Sequence, residues 1–227
     1  MSSSLYRRCA ALLLVLFCSS LLQANPTDYG LLVEEFWYEL EPLVKFDDEY
    51  PIEEETAVQR LLELARYVFS GMIYGFTFSY TPADAARKIS EEFNLEPVAL
   101  ISWGDPNLEV MDTRVEERRL YARISYTPRE FQQAWLAGWD SNEIPAAAGE
   151  GRSSFIRDRL DKVPVIEEAV KQAVRDYVRK RVFDKPKEIT GSVILRNAPI
   201  IYSMSGEYMA RVGIKLKIDE IQPYRLF

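Results

Sequence analysis

The chain has 227 residues, with 28 Lys and Arg against 35 Asp and Glu, two Cys and no His. The missing His excludes Ser–His–Asp and Cys–His catalysis and any His-ligated zinc site. The net charge of −7 disfavours nucleic acid and anionic lipid as partners, and leaves acid–base chemistry to Asp, Glu, Tyr or Lys.

Residues 1–24 read as an export signal. Arg7 and Arg8 supply the positive start, Ala10 to Phe17 the apolar core, and Leu22-Gln23-Ala24 a cleavage site before Asn25. Bulky Phe17 ahead of Cys18 argues against a lipoprotein. Removing the segment takes two Arg and no acids with it, which moves the net charge from −7 to −9. It also removes Cys9 and Cys18, so the mature chain has no disulfide and rests on its core. No later run is long and apolar enough to span a bilayer. The expectation is a periplasmic or secreted protein whose residues 25–227 form one domain, with a subdomain split near 141–163 as the alternative.

Leu32, Val33, Phe36, Trp37 and Leu40 recur at helical spacing and predict a short helix over 28–40. Asp47, Asp48, Glu49, Glu53, Glu54 and Glu55 surround Pro51 and read as the acidic start of a helix rather than a calcium site. That helix continues through Val58, Leu61, Leu62, Ala65, Val68, Phe69 and Met72 to Ser70-Gly71. The period then switches to two: Tyr74, Phe76, Phe78 and Tyr80 share one face of a strand.

Ser79-Tyr80-Thr81-Pro82 recurs as Ser125-Tyr126-Thr127-Pro128, which suggests an internal duplication. Thr before Pro, with Asp84 or Glu130 two residues further on, predicts a strand, a sharp turn and a capped helix in each copy. The expected helices are 82–93 and 128–140. A strand over Val98–Trp103 lies between them, then a loop over 104–117 and a strand over 120–126. Residues 141–152, with Pro145, three Ala and Gly149-Glu150-Gly151, read as a flexible hinge. Gly149 to Ser154 also resembles an anion nest, but lacks G-K-[ST] and carries the acidic Glu150.

Pro164 opens a long helix with Ile166, Ala169, Val170, Ala173, Val174, Tyr177 and Val178 as its stripe. Extended segments follow at 189–196 and 199–204. The last, from Tyr208 to Ile218, alternates without a fault.

These elements predict an α+β fold, with a mostly antiparallel sheet and helices packed on one face. The strand, helix, strand, strand, helix order over 72–140 resembles the start of a ferredoxin-like, split βαβ arrangement, with extra helices in the amino-terminal and central parts. Such an order carries no function by itself.

Asp105, Asn107, Glu109 and Glu116 fall at ligand positions of a calcium loop, but Val110 stands where the turn needs Gly. Asp105, Glu109 and Asp112 beside Trp103 are the carboxylates a glycan hydrolase would use. Trp103, Trp135 and Trp139, and the basic Arg175, Arg179 and Lys180, are the residues expected on a ligand or partner surface. No intact catalytic or cofactor motif is present, so no cofactor is expected. The leading expectation is an exported, non-catalytic envelope protein with a structural, assembly or protein-binding role. The alternatives are a carboxylate-type glycan hydrolase and a periplasmic carrier of small ligands.

Overall fold

Helix α1 (Glu54–Ile73) has apolar residues on more than one side, and that decides its place. Ala57, Leu61, Leu64, Ala65, Val68, Phe69, Met72 and Ile73 are all buried, which a helix with a single covered face would not require. In this computed structural model, which describes residues 30–41, 51–155, 160–182 and 185–224, α1 touches strands of two separate sheets. The export signal and Asp47, Asp48 and Glu49 lie outside the described residues.

The first sheet has three strands in the order β1 (Leu32–Glu39), β5 (Arg119–Tyr126), β4 (Leu108–Glu116). Leu120, Ala122, Ile124 and Tyr126 alternate along β5 and are buried. Phe69 of α1 meets Phe36 of β1 edge-on at 5.7 Å and stacks on Tyr126 at 6.3 Å.

The second sheet runs β3 (Glu92–Pro97), β2 (Phe76–Thr81), β7 (Glu188–Leu195), β9 (Glu207–Gln222), β6 (Ala146–Ser154), with β8 (Ile200–Met204) pairing the start of β9. Every strand pair in both sheets is antiparallel. Helix α3 (Val163–Arg179) covers β6 and β9, and α1 contacts β7. A short helix, α2 (Glu130–Ala137), follows β5. The fold is α+β, with three helices and no closed barrel among the described residues.

Five expected elements differ. The loop expected over 104–117 is mostly strand β4, which pairs antiparallel with β5 across a turn where Glu117 and Arg118 take positive φ. Residues 32–39 form a strand rather than a helix, because β1 pairs β5 along its whole length and buries both faces at its end. Phe36 faces α1 while Trp37 meets Tyr208 of β9 at 6.0 Å, and apolar residues on both faces imitate helical spacing. After the first S-Y-T-P the chain makes no helix over 82–93. The Asp84 carboxylate accepts from the Ala86 and Arg87 N–H groups, as a cap would, but Lys88 reverses the chain at φ +58. Ile89 then bridges Asp84, and Glu92–Pro97 returns along β2. The split βαβ order expected over 72–140 therefore lacks its first helix.

The strand expected over Val98–Trp103 is instead a loop held on α1: the Ile101 N–H donates to Ser70 Oγ at 2.9 Å, and Arg66 Nε donates to the Ile101 carbonyl at 2.9 Å. Residues 141–152 are not a hinge, since Ala146–Ser154 is strand β6. Its inward residues are Ala147, Gly149, Gly151 and Ser153, and a Cβ on Gly149 or Gly151 would fall 2.2 to 2.5 Å from backbone atoms of α3. The glycines serve close approach of strand and helix, so they form no anion nest.

Candidate functional site

The second S-Y-T-P does lead into a helix, and the side chains that fix this junction are polar. Gln132 of α2 is fully buried. Its Oε1 accepts from the Arg129 N–H at 2.6 Å, and its Nε2 donates to the Tyr74 hydroxyl at 2.7 Å and to that of Tyr126 at 2.8 Å. Burial pushes the Tyr126 phenol above its ordinary pKa. One turn on, Trp135 Nε1 donates to the Tyr74 carbonyl at 3.2 Å. Arg129 Nη2 donates to both oxygens of Asp105 at 2.9 Å, which ties α2 to the 98–107 loop. Asp105 also accepts from the Asn107 N–H at 3.0 Å, so this carboxylate holds a turn and a helix together.

Above that joint lies an apolar surface. Phe131 and Trp135, four residues apart on α2, are 59 % and 47 % exposed. The Val98 N–H donates to the Gly75 carbonyl, which places exposed Val98 beside the Tyr74 carbonyl that holds Trp135. Exposed Leu100 follows Val98, and Trp103 is 53 % exposed with the Arg66 guanidinium over its ring at 5.1 Å. Large apolar side chains grouped this way on a surface are characteristic of interaction sites.

The other expected residues are not brought together. Glu109, Asp112 and Glu116 stand on β4, which is exposed along nearly its whole length. Glu109 and Glu116 are seven positions apart in an extended strand, roughly 23 Å, so the calcium-loop set does not converge. Asp105 is paired with Arg129 at the start of α2, while Glu109 and Asp112 stand exposed on β4. Trp139 is buried rather than exposed: Lys215 donates to its carbonyl at 2.6 Å and Lys217 lies over its ring at 4.2 Å.

A polar cluster that sequence reasoning missed sits where β1 meets β9. Lys162, just before α3, is buried. Its ammonium donates to the Trp37 carbonyl, lies 3.4 Å from the Trp37 ring centroid and is 3.5 Å from Glu39 Oε2. The Tyr208 hydroxyl donates to the same Glu39 oxygen at 2.6 Å. Desolvation lowers the Lys162 pKa to about 8, against the opposing pull of Glu39. With its partners fixed and no exposed face, the amine acts as a clamp between the two sheets. The available signal was the Trp37-Tyr38-Glu39 run, but without the pairing partner Tyr208 it reads as an ordinary helix face.

Along the free flank of α3 two clefts share Glu91. One, of about 490 Å³, is lined by Glu91, Glu167, Glu168, Lys171, Arg152 and Phe93 among others. Burial raises the Glu167 pKa, while a hydrogen bond from Tyr67 opposes the rise. Lys171 is 3.4 Å from Glu91 and 3.2 Å from Glu168. The other cleft, of about 230 Å³, is lined by Arg175 and Arg179 from the expected basic patch. Lys180 follows α3 as an exposed residue and is not among the lining side chains. Among the described residues no helix is long and apolar enough to cross a membrane.

A family model that carries no functional description matches residues 19–224, and the chain belongs to that family. It is similar to an uncharacterized protein of Treponema pallidum (strain Nichols), 26% identical over 169 residues that cover 74% of this chain and 71% of that protein. No solved structure matches the chain.

Proposed function

We propose that this member of the family is an exported, non-catalytic protein of the cell envelope that docks a protein partner through the surface formed by α2 and the 98–103 loop. The observation that carries the reading is that Phe131, Trp135, Val98 and Leu100 are exposed on α2 and the 98–103 loop, which buried hydrogen bonds of Gln132 and Ser70 hold near the end of α1. Export is supported by the amino-terminal sequence, with Asn25 as the first mature residue and the periplasm or cell exterior as the compartment. A non-catalytic role is supported by the use of Asp105 in a joint and by the scatter of the other expected carboxylates along β4.

The test is light cross-linking of intact cells that express the full chain, with mass spectrometry of what is recovered. The companion variants are Phe131→Asp and Leu100→Asp, whose exposed positions leave the fold intact, as a thermal melt would verify. The expected result is one reproducible envelope protein lost from both variants, on a chain that begins at Asn25. Recovery of the same protein at equal yield from both variants would remove this surface from consideration. Recovery of no protein partner would remove the docking role itself.

A further inference from the structure

We propose that the 230 Å³ cleft between the end of α3 and the turn after β2 binds a small oxyanion that carries a short apolar group, such as a carboxylate or phosphate ester. The inference does not depend on the docking surface. It starts from charge: in a chain of net charge −7, Arg175, Arg179 and Lys185 line one small cleft with Glu91 as the single acid among its described lining residues.

The donors are only partly used. Glu91 accepts from the Tyr80 hydroxyl at 2.9 Å, forms an ion pair with Lys171 at 3.4 Å and meets Arg175 Nε at 3.5 Å. The terminal nitrogens of Arg175 make no hydrogen bond among the described residues. Arg179, one turn further along the same face, has neither an ion pair nor a hydrogen bond among them. Lys185 donates to the Ala83 carbonyl at 2.9 Å, which leaves two of its three ammonium hydrogens.

Like charges four apart on a helix repel, and an anion between them relieves that repulsion. The dipole of α3 favours cations near its end. It does not explain why a lysine from the segment after the helix joins two of them at one cleft. The remaining walls are apolar, from Pro82, Val178, Val182 and Pro186. They suit a short hydrocarbon chain, and the volume equals that of roughly eight waters.

The test is calorimetric titration of the mature protein at low salt with hexanoate and hexyl phosphate, with inorganic phosphate and hexanol as the two halves of the ligand. The expected result is saturable one-to-one binding of at least one amphiphilic anion, about tenfold or more tighter than either half. Arg179→Gln should weaken it about tenfold or more at an unchanged melting temperature. Val182→Asp should abolish it by placing a carboxylate at the apolar wall. Absence of saturable binding by both amphiphiles overturns the proposal. Binding that Arg179→Gln and Val182→Asp both leave unchanged overturns it equally, since the ligand would then sit elsewhere. Inorganic phosphate binding as tightly as hexyl phosphate refutes the role of the apolar walls.

Discussion

Replacing Gly151 by Ala tests the packing on which the second sheet depends. Its Cβ would lie 2.4 Å from the Ala169 nitrogen, 2.5 Å from the Val165 carbonyl oxygen and 2.9 Å from the Ala169 Cα. All three are backbone atoms of α3, so no side-chain rotation relieves the clash, and β6 and α3 must separate by about 1 Å. Overpacking of this kind costs about 1–3 kcal/mol, and a rigid backbone contact places it at the upper end. About 3 kcal/mol in a domain of this size lowers Tm by roughly 6–12 °C.

The flexible hinge expected from composition predicts the opposite sign, because Gly→Ala in a mobile loop stabilises by about 0.4–1 kcal/mol through the unfolded state. Ala148→Thr, one position from Gly149 on the exposed face of β6, is the control and should stay within about 0.5 kcal/mol of wild type. Thermal melts of the three proteins by circular dichroism decide the matter. A Gly151→Ala Tm equal to or above that of wild type would refute the strand-on-helix argument.

Lys162→Met strands the buried Glu39 carboxylate and should cost about 3–5 kcal/mol in urea unfolding, with part of the loss restored by adding Glu39→Gln. The pH dependence of wild-type stability follows from the lowered Lys162 pKa. Between about pH 8 and 10.5 the unfolded chain holds the lysine proton that the native state has released, so this group makes stability rise with pH across that window, by at most about 1.4 kcal/mol per pH unit. The raised Tyr67 and Tyr80 pKa values, due first to burial, act the other way above pH 10, so wild-type stability should peak between pH 8 and 10 while the Lys162→Met/Glu39→Gln protein shows no such rise. Gln132→Leu leaves two phenols and the Arg129 N–H without their partner; it should cost about 2–4 kcal/mol and speed amide exchange across α2. Asp105→Asn should weaken the same joint by about 1 kcal/mol, and Arg129→Gln added to it should cost little more, which a double-mutant cycle would show.

Elements with a long, regular apolar period were legible in the sequence. Helices α1 and α3 and the strands β2, β5, β7 and β9 appear near their expected places, because each alternates or repeats against a single core. The failures share one feature: a face whose partner lies in another segment of the chain, which local periodicity does not show. Trp37 is apolar because Tyr208 and Lys162 lie against it, yet in isolation it completes a helical stripe with Val33 and Leu40. Gly149 and Gly151 are small because α3 approaches them, yet they read as loop composition. Phe93 reads as the inner face of a helix, but it pairs with Tyr80 across the β2–β3 turn, and that pairing decides its conformation. The two S-Y-T-P copies agree only as far as the strand end, and the course after proline is set by what the next segment can pair with. Of the site residues, Trp103 and Trp135 are exposed and Arg175 and Arg179 line a cleft, whereas Trp139 is buried with Lys217 of β9 over its ring.

The exposed aromatics of α2 gain their meaning from how they are held. A helix of eight residues is too short to persist on its own, so α2 depends on its attachments. Those attachments are directional: Gln132 reaches two phenols from different elements, Arg129 grips Asp105, and the Trp135 indole is bonded to the end of α1. Directional contacts fix the orientation of a short element more tightly than apolar burial alone. The side chains left outside, Phe131 and one face of Trp135, are therefore presented in one arrangement. Under the proposed docking role, a surface ordered in advance avoids part of the entropy cost of association. If the docking proposal holds, loosening α2 with Gln132→Leu should weaken recovery of the cross-linked protein even though Gln132 itself is buried.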